Sequence, residues 1–157
     1  MSEDELITQV LALHRERGWR LNFPPAAADQ VAAAERAIGF ALPSLLRRLY
    51  REVSNGGFGP CRAFLGVSGG YPDEDIGKGL TLAGVYAACH DPKESLLPDG
   101  LVPVLNWGCA RRTCLDCTAP EVPVQLFLGA ERRLVPDAPS LAGWLGGWLA
   151  DPDNFWR

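Results

Sequence analysis

The hydrophobic pattern of the chain changes its period near residue 58, and this change constrains the fold more than any other feature. Before that point apolar residues recur every three to four positions, which is typical of helices. From Phe58 to Pro136 they form short runs separated by Gly, Pro and Asp, which is typical of an antiparallel sheet. Helical spacing returns after Ser140. The sequence therefore predicts an α+β fold, with N-terminal helices and a C-terminal helix packed on an antiparallel β-sheet.

Three helices are predicted before the sheet region. The first ends near Gly18, and the second begins after Pro24-Pro25 and ends at Gly39, which suits a left-handed cap. The third begins at Pro43, since a first turn does not need the missing N–H, and ends at Asn55-Gly56-Gly57. Their apolar faces are Leu6, Ile7, Val10, Leu11 and His14; Val31, Ala34 and Ile38; and Leu45, Leu46, Leu49, Tyr50 and Val53.

The sheet region contains five predicted strands and one predicted helix. The strands are residues 62–66, 101–106, 113–117, 122–128 and 132–135, and the helix is 80–90, where apolar residues fall at i, i+3, i+4 and i+7. Pro103 and Pro123 cannot donate to a ladder, so we expect them at strand starts, edges or bulges. A closing helix begins at its N-cap, Ser140. Its apolar stripe is Leu141, Trp144, Leu145, Trp148 and Leu149.

Length and charge limit the class of protein. The 157 residues, 47% of them hydrophobic, predict one domain over 1–157 that buries its own core. The chain lacks an apolar run of membrane-spanning length, and its acidic start is unlike a secretory signal, so a cytoplasmic protein without a membrane partner is expected. Fifteen Lys and Arg against 19 Asp and Glu give a net charge of −4. This charge disfavours nucleic acid and suits a basic protein partner.

Cys109, Cys114 and Cys117 have the spacing C-x4-C-x2-C, which matches the opening of a [2Fe–2S] ligand set. Such a set needs a later cysteine, but Cys61 and Cys89 both lie upstream. A zinc site would draw on the same residues. We therefore predict reduced thiols in and beside a strand, without a metal or cofactor. Pairing among the three thiols, or metal binding by them, stays open.

Residues 66–70 satisfy the G-x-S-x-G pattern of a nucleophile elbow, with Ser68 as the nucleophile. A helix should begin at the serine, but Gly69-Gly70 and Tyr71-Pro72 oppose one. Only His90 follows, 22 residues on, which leaves no room for the acid of a triad in its usual order. The sequence favours a flexible turn and a protein that is not an enzyme, with a small serine hydrolase as an alternative.

The densest acidic cluster is Asp73-Glu74-Asp75, which we expect to be a solvated loop that meets a basic partner. The residues after it do not continue a calcium loop. His90-Asp91 has no partnered nucleophile and is interpreted as a loop. The predicted partner-binding residues are Tyr71, Asp73, Glu74, Asp75 and Asp116, with Tyr86 as an apolar anchor.

An ordered series of segments over residues 30–150 resembles the signature of the SUKH superfamily, which includes the yeast cell-wall assembly regulator. The order and spacing of the segments carry this resemblance. The segments are Gly39-Phe40-Ala41-Leu42-Pro43, Leu49-Tyr50, Asn55-Gly56-Gly57-Phe58-Gly59, Leu101-Val102-Pro103-Val104, Trp107-Gly108-Cys109, Leu115-Asp116-Cys117, Ala138-Pro139-Ser140-Leu141 and Trp144-Leu145.

The resemblance implies an α+β fold and a protein-binding role. Bacterial members act as immunity proteins that bind and block cognate toxins, often nucleases or deaminases, whereas other members are regulators without a toxin partner. The resemblance transfers no catalytic residue. We therefore expect an immunity protein that sequesters a cognate toxin, such as a basic nuclease, with a regulatory or scaffolding protein of the same family as the alternative.

Overall fold

The structure is a computed structural model that describes residues 1–76, 79–94 and 97–157. Over these residues it combines α-helices with an antiparallel sheet, which confirms the predicted α+β class. The helices are α1 (Glu3–Glu16), α2 (Ala28–Ile38), α3 (Ser44–Arg48), α4 (Leu82–Cys89) and α5 (Leu141–Ala150). The strands are β1 (Leu101–Gly108), β2 (Arg111–Asp116), β3 (Val124–Leu128) and β4 (Arg133–Ala138).

The sheet is a meander in which consecutive strands pair antiparallel, in the order β1-β2-β3-β4. Pro103 lies at a register shift in β1, and Pro123 precedes β3, as their missing N–H groups predict. Pro136 lies in β4, which is at the edge of the sheet, a position that tolerates proline. The prediction that residues 122–123 belong to β3 is wrong, because Val122 has a φ of 56° that no strand accepts.

The predicted strand 62–66 is wrong. Pro60–Arg62 forms a 3₁₀ turn, and only Phe64 makes an isolated bridge, to Leu105. The run is apolar because it fills the core: Phe64 and Leu65 are fully buried. Its backbone groups bond to several separate segments, since Leu65 N–H donates to the Val104 carbonyl and the Phe64 carbonyl accepts from Gly57 N–H. Burial alone therefore produced a strand-like pattern.

The helix boundaries follow their capping residues. The Ser2 hydroxyl accepts from the Glu5 amide at 3.2 Å while the Glu5 carboxylate accepts from the Ser2 amide at 2.8 Å, a capping box on α1. Gly39 caps α2 with a φ of 95°, and Ser140 caps α5 through the Gly143 amide, both as predicted. Pro43 is the N-cap of α3 rather than a residue of its first turn, and the helix continues as a π turn over Leu49–Val53.

Helices and sheet share a continuous core in which Trp144 and Trp148 of α5 are almost fully buried. Phe64 packs edge-on against Trp144 at 6.1 Å between ring centroids. Trp144 also meets Phe155, at 5.0 Å between centroids, and Phe155 approaches Gly147. This packing stabilises α5, which is weakened by three glycines. In the described ranges no helix has the length and apolar character needed to cross a membrane.

Candidate functional site

The acidic loop is joined to the sheet by a buried ion pair. Arg112, on β2, places Nη1 2.6 Å from Oδ2 of Asp73, and the Asp73 side chain is fully buried. Oδ1 of Asp73 accepts from the amides of Asp75 and Ile76, at 2.8 and 2.7 Å. The prediction that Asp73 is solvated is therefore wrong, because its carboxylate is buried and hydrogen-bonded within the fold.

The surroundings of Asp73 keep its carboxylate charged. Burial raises the pKa of this group, but the hydrogen bond and charge of Arg112 and the two backbone amides outweigh burial, so the pKa lies below its ordinary value. The side chain of Asn106, on β1, adds a donor at 3.3 Å. The loop is consequently fixed to two strands through one ionised residue.

Glu74 and Asp75 remain exposed on this fixed loop. Asp75 Oδ2 accepts from Nδ2 of Asn106 at 2.8 Å, so this carboxylate is oriented by the same side chain that contacts Asp73. Within residues 1–76, 79–94 and 97–157, no ion pair neutralises either group. The loop thus presents two negative charges to solvent, whereas the negative charge of Asp73 is balanced internally by Arg112.

A small cavity of about 160 Å³ adjoins these carboxylates, and two aromatic residues, Tyr71 and Trp107, contribute to its lining. It is smaller than the roughly 300–1,000 Å³ of ordinary small-molecule sites. Trp107 of β1 is half-buried, and its Nε1 donates to the Thr113 hydroxyl at 2.8 Å. Its ring lies 6.2 Å from that of Trp156, which is 65% exposed. An acidic and aromatic surface results.

Two predicted site residues, Tyr86 and Asp116, do not line this cavity. Tyr86 stacks on His90, with ring centroids 3.8 Å apart, and its hydroxyl accepts from the Gly100 amide at 3.2 Å. Asp116 orders the turn after β2, since its Oδ1 accepts from the amide and hydroxyl of Thr118 at 2.9 and 2.6 Å. The structure therefore brings together Tyr71, Glu74 and Asp75 but not these two.

The G-x-S-x-G segment is a turn held by Asn55. Its Oδ1 accepts from the Val67 amide at 2.8 Å, and its Nδ2 donates to the Ser68 carbonyl at 3.1 Å. Gly70 lies against the Asn55 side chain with no room for a Cβ. In the part of the chain that is described, the exposed Ser68 hydroxyl has no hydrogen bond to a His, Asp or Glu. Backbone packing thus accounts for the motif.

The cysteine triplet is spread over different environments. Cys109 is exposed, Cys117 half-buried and Cys114 buried. Burial raises the pKa of Cys117 to about 12 and that of Cys114 further, so both are protonated thiols at neutral pH. The described ranges contain no group of three or more His, Cys, Asp or Glu residues that could hold a metal ion. The absence of a metal stays a prediction.

The meander sheet, its flanking helices and a surface with fixed carboxylates and aromatic rings define an α+β protein suited to contact with a macromolecule. Residues 25–147 match the model of the SMI1/KNR4 family (SUKH-1), and the chain belongs to this family. Membership confirms the resemblance found in the sequence and implies a protein-binding role in a family that is generally non-catalytic. Comparison with curated proteins gives no significant match.

Proposed function

We propose that this protein is a cytoplasmic immunity protein that binds a cognate nuclease or deaminase toxin and covers its working surface. The observation that carries the proposal is the pair of exposed carboxylates, Glu74 and Asp75, on a loop that the Asp73–Arg112 ion pair fixes to the sheet. Toxins that act on nucleic acid need basic surfaces to bind phosphate. Two fixed negative charges complement such a surface.

Charge and rigidity act on different steps of binding. The net charge of −4 and the exposed carboxylates attract a basic protein over distance and accelerate encounter. Because the loop is already ordered, less conformational entropy is lost when the complex forms. We centre the contact on Tyr71, Glu74 and Asp75, because these three residues line one cavity. Tyr86 and Asp116 do not line it, and the Asp73 side chain is fully buried.

Co-expression with the product of the neighbouring gene tests this proposal. Growth rescue and calorimetric binding are measured for the unmodified protein and for Glu74→Gln/Asp75→Asn. We expect rescue by the unmodified protein and, for the variant, affinity lower by about tenfold or more, as for the loss of interfacial charge pairs. Asp99→Asn/Glu121→Gln is the matched control, because it removes two exposed charges outside the loop.

The outcomes separate function from site. A toxic neighbour that this protein neither binds nor neutralises would contradict the immunity role for that pair. A harmless neighbour that binds would favour a regulatory or scaffolding member of the family. If Glu74→Gln/Asp75→Asn rescues growth with unchanged affinity, the immunity role is supported, but the contact does not involve Glu74 and Asp75.

A further inference from the structure

Trp156 is a large apolar side chain that the fold leaves exposed, at 65% of its surface, and it lies beside Trp107. We propose that these two indoles and the carboxylates of Glu74 and Asp75 form a binding site for an arginine side chain of a partner protein. The inference rests on the proposed function, because it specifies the chemistry of the partner at the same surface.

The two rings are held in place before any partner binds. Trp107 is fixed by its hydrogen bond to Thr113, and Nε1 of Trp156 donates to the Asp153 carbonyl at 3.2 Å. Preformed aromatic anchors lose little entropy on binding, and tryptophan is enriched among residues that dominate interface energies.

The segment 151–157 that carries Trp156 is attached to the fold on both sides of the ring. Asp153 pairs at 2.7 Å with Arg17, the residue that follows α1, and Arg157 pairs with Asp137 of β4 at 2.7 Å. Between them Phe155 packs on Trp144, and the Arg157 guanidinium lies over the Phe155 ring at 4.2 Å. The exposure of Trp156 is therefore a feature of an ordered segment.

The charges beside the indoles indicate which side chain fits. Trp107 lines the same cavity as Glu74 and Asp75, so a group that enters it meets an indole and two carboxylates. Trp156 lies next to Trp107, outside the cavity lining. A guanidinium is planar, so it can stack on tryptophan and donate a forked pair of hydrogen bonds to a carboxylate. An ammonium interacts with both groups only as a point charge. The cavity has room for one side-chain head group. Charge and shape together favour arginine.

A peptide titration tests the site without the toxin. The ¹⁵N-labelled protein is titrated with Ac-Gly-Arg-Gly-Arg-Gly-NH₂ and with its lysine and citrulline counterparts, and the five indole N–H signals are followed. We expect saturable shifts for Trp107 and Trp156 with the arginine peptide, with Kd of about 1 mM or weaker. Binding of the lysine peptide should be roughly two- to fivefold weaker, and the neutral citrulline peptide should cause no shift.

Two variants locate the site. Trp156→Leu should weaken binding of the arginine peptide roughly two- to fivefold through loss of stacking. Glu74→Gln/Asp75→Asn should abolish saturable binding. Asp99→Asn/Glu121→Gln should leave the titration unchanged. Absence of shifts at both indoles, or equal shifts with citrulline, would overturn the proposal. Toxin rescue is scored separately, so failure of the arginine site is distinguishable from failure of the immunity role.

Discussion

The guanidinium of Arg112 lies 2.6 Å from the carboxylate of Asp73, and both side chains are withdrawn from solvent. The contact joins residues 39 positions apart and connects the acidic loop to the second strand. A buried pair of this kind contributes little relative to apolar residues of the same volume, but breaking it leaves an uncompensated charge. Loop position therefore depends on both partners being present.

Arg112→Met should lower the free energy of unfolding by about 3–5 kcal/mol, because it leaves the buried Asp73 carboxylate without its counter-charge. Urea denaturation at pH 7 measures the loss. The double variant Asp73→Leu/Arg112→Met should recover part of it, since no charge is left buried. Asp75→Asn, an exposed neighbour, should change stability by no more than about 0.5 kcal/mol. A cost below about 1 kcal/mol for Arg112→Met would contradict the role of the pair.

His14 should make stability fall as the solution is acidified. It is buried between Trp19 and Trp148, and neither ring nitrogen has a hydrogen-bond partner among the described residues. Burial, and secondarily the charge of Arg62, lower its pKa from 6.5 to about 4. The unfolded chain therefore binds the proton more readily, and stability is highest above pH 6.5 and declines between about pH 6.5 and 4.

His14→Phe should remove this pH dependence. Phenylalanine retains an aromatic ring against Trp19 and Trp148 but cannot be protonated. We expect the free energy of unfolding of the unmodified protein to drop by on the order of 2 kcal/mol between about pH 7 and 4.5, and that of the variant to change much less. Asp73 affects stability only at lower pH: the stability gained from its lowered pKa is lost as the pH falls below the unfolded carboxyl pKa of about 3.9. Identical slopes for both proteins above about pH 4.5 would exclude His14 as the source.

Asn55→Ala should destabilise the fold by about 1–3 kcal/mol, because the buried Val67 amide loses its acceptor. Thermal unfolding followed by circular dichroism gives the change. Ser68→Ala is the matched control in the same turn: its hydroxyl is exposed, so the melting temperature should stay nearly constant. A larger effect from Ser68 than from Asn55 would reverse this assignment.

Thiol titration should distinguish the five cysteines. With Ellman's reagent in native buffer, we expect reaction at the exposed Cys109 and, more slowly because partial burial raises the pKa of its thiol, at the exposed Cys61. Cys89, Cys114 and Cys117 should react only after denaturation, since burial raises the pKa of each thiol. Protection of Cys109 that a chelator relieves would instead indicate a bound metal.

The helices were predictable because few structures other than a helix produce an apolar stripe at helical spacing; α2 and α5 follow their stripes and caps closely. The apolar run around Phe64 was wrongly interpreted as a strand. A buried coil whose amides donate to distant segments produces the same apolar run. The spacing of apolar residues along the chain does not reveal that the Leu65 amide donates to the distant Val104 carbonyl.

Part of the site was predictable from side-chain type. Glu74 and Asp75 are exposed as a run of acidic residues suggests, but the burial of Asp73 depends on Arg112, which no local pattern connects to it. An arginine beside a predicted strand was the available signal. Trp156 was missed because it lies outside the helical stripe, and its exposure depends on the two ion pairs that fix segment 151–157.

Asp73 and Glu74 are adjacent in the chain yet differ in how freely they can change. Substitution of Asp73 disturbs the attachment of the loop to the sheet, whereas Glu74 points to solvent and the fold makes no comparable demand on it. Substitutions at position 74 therefore have little cost to folding, and under the proposed function they can alter which partner is bound. If the proposed immunity role holds, recognition of an altered toxin can evolve in single steps at position 74 while position 73 is retained.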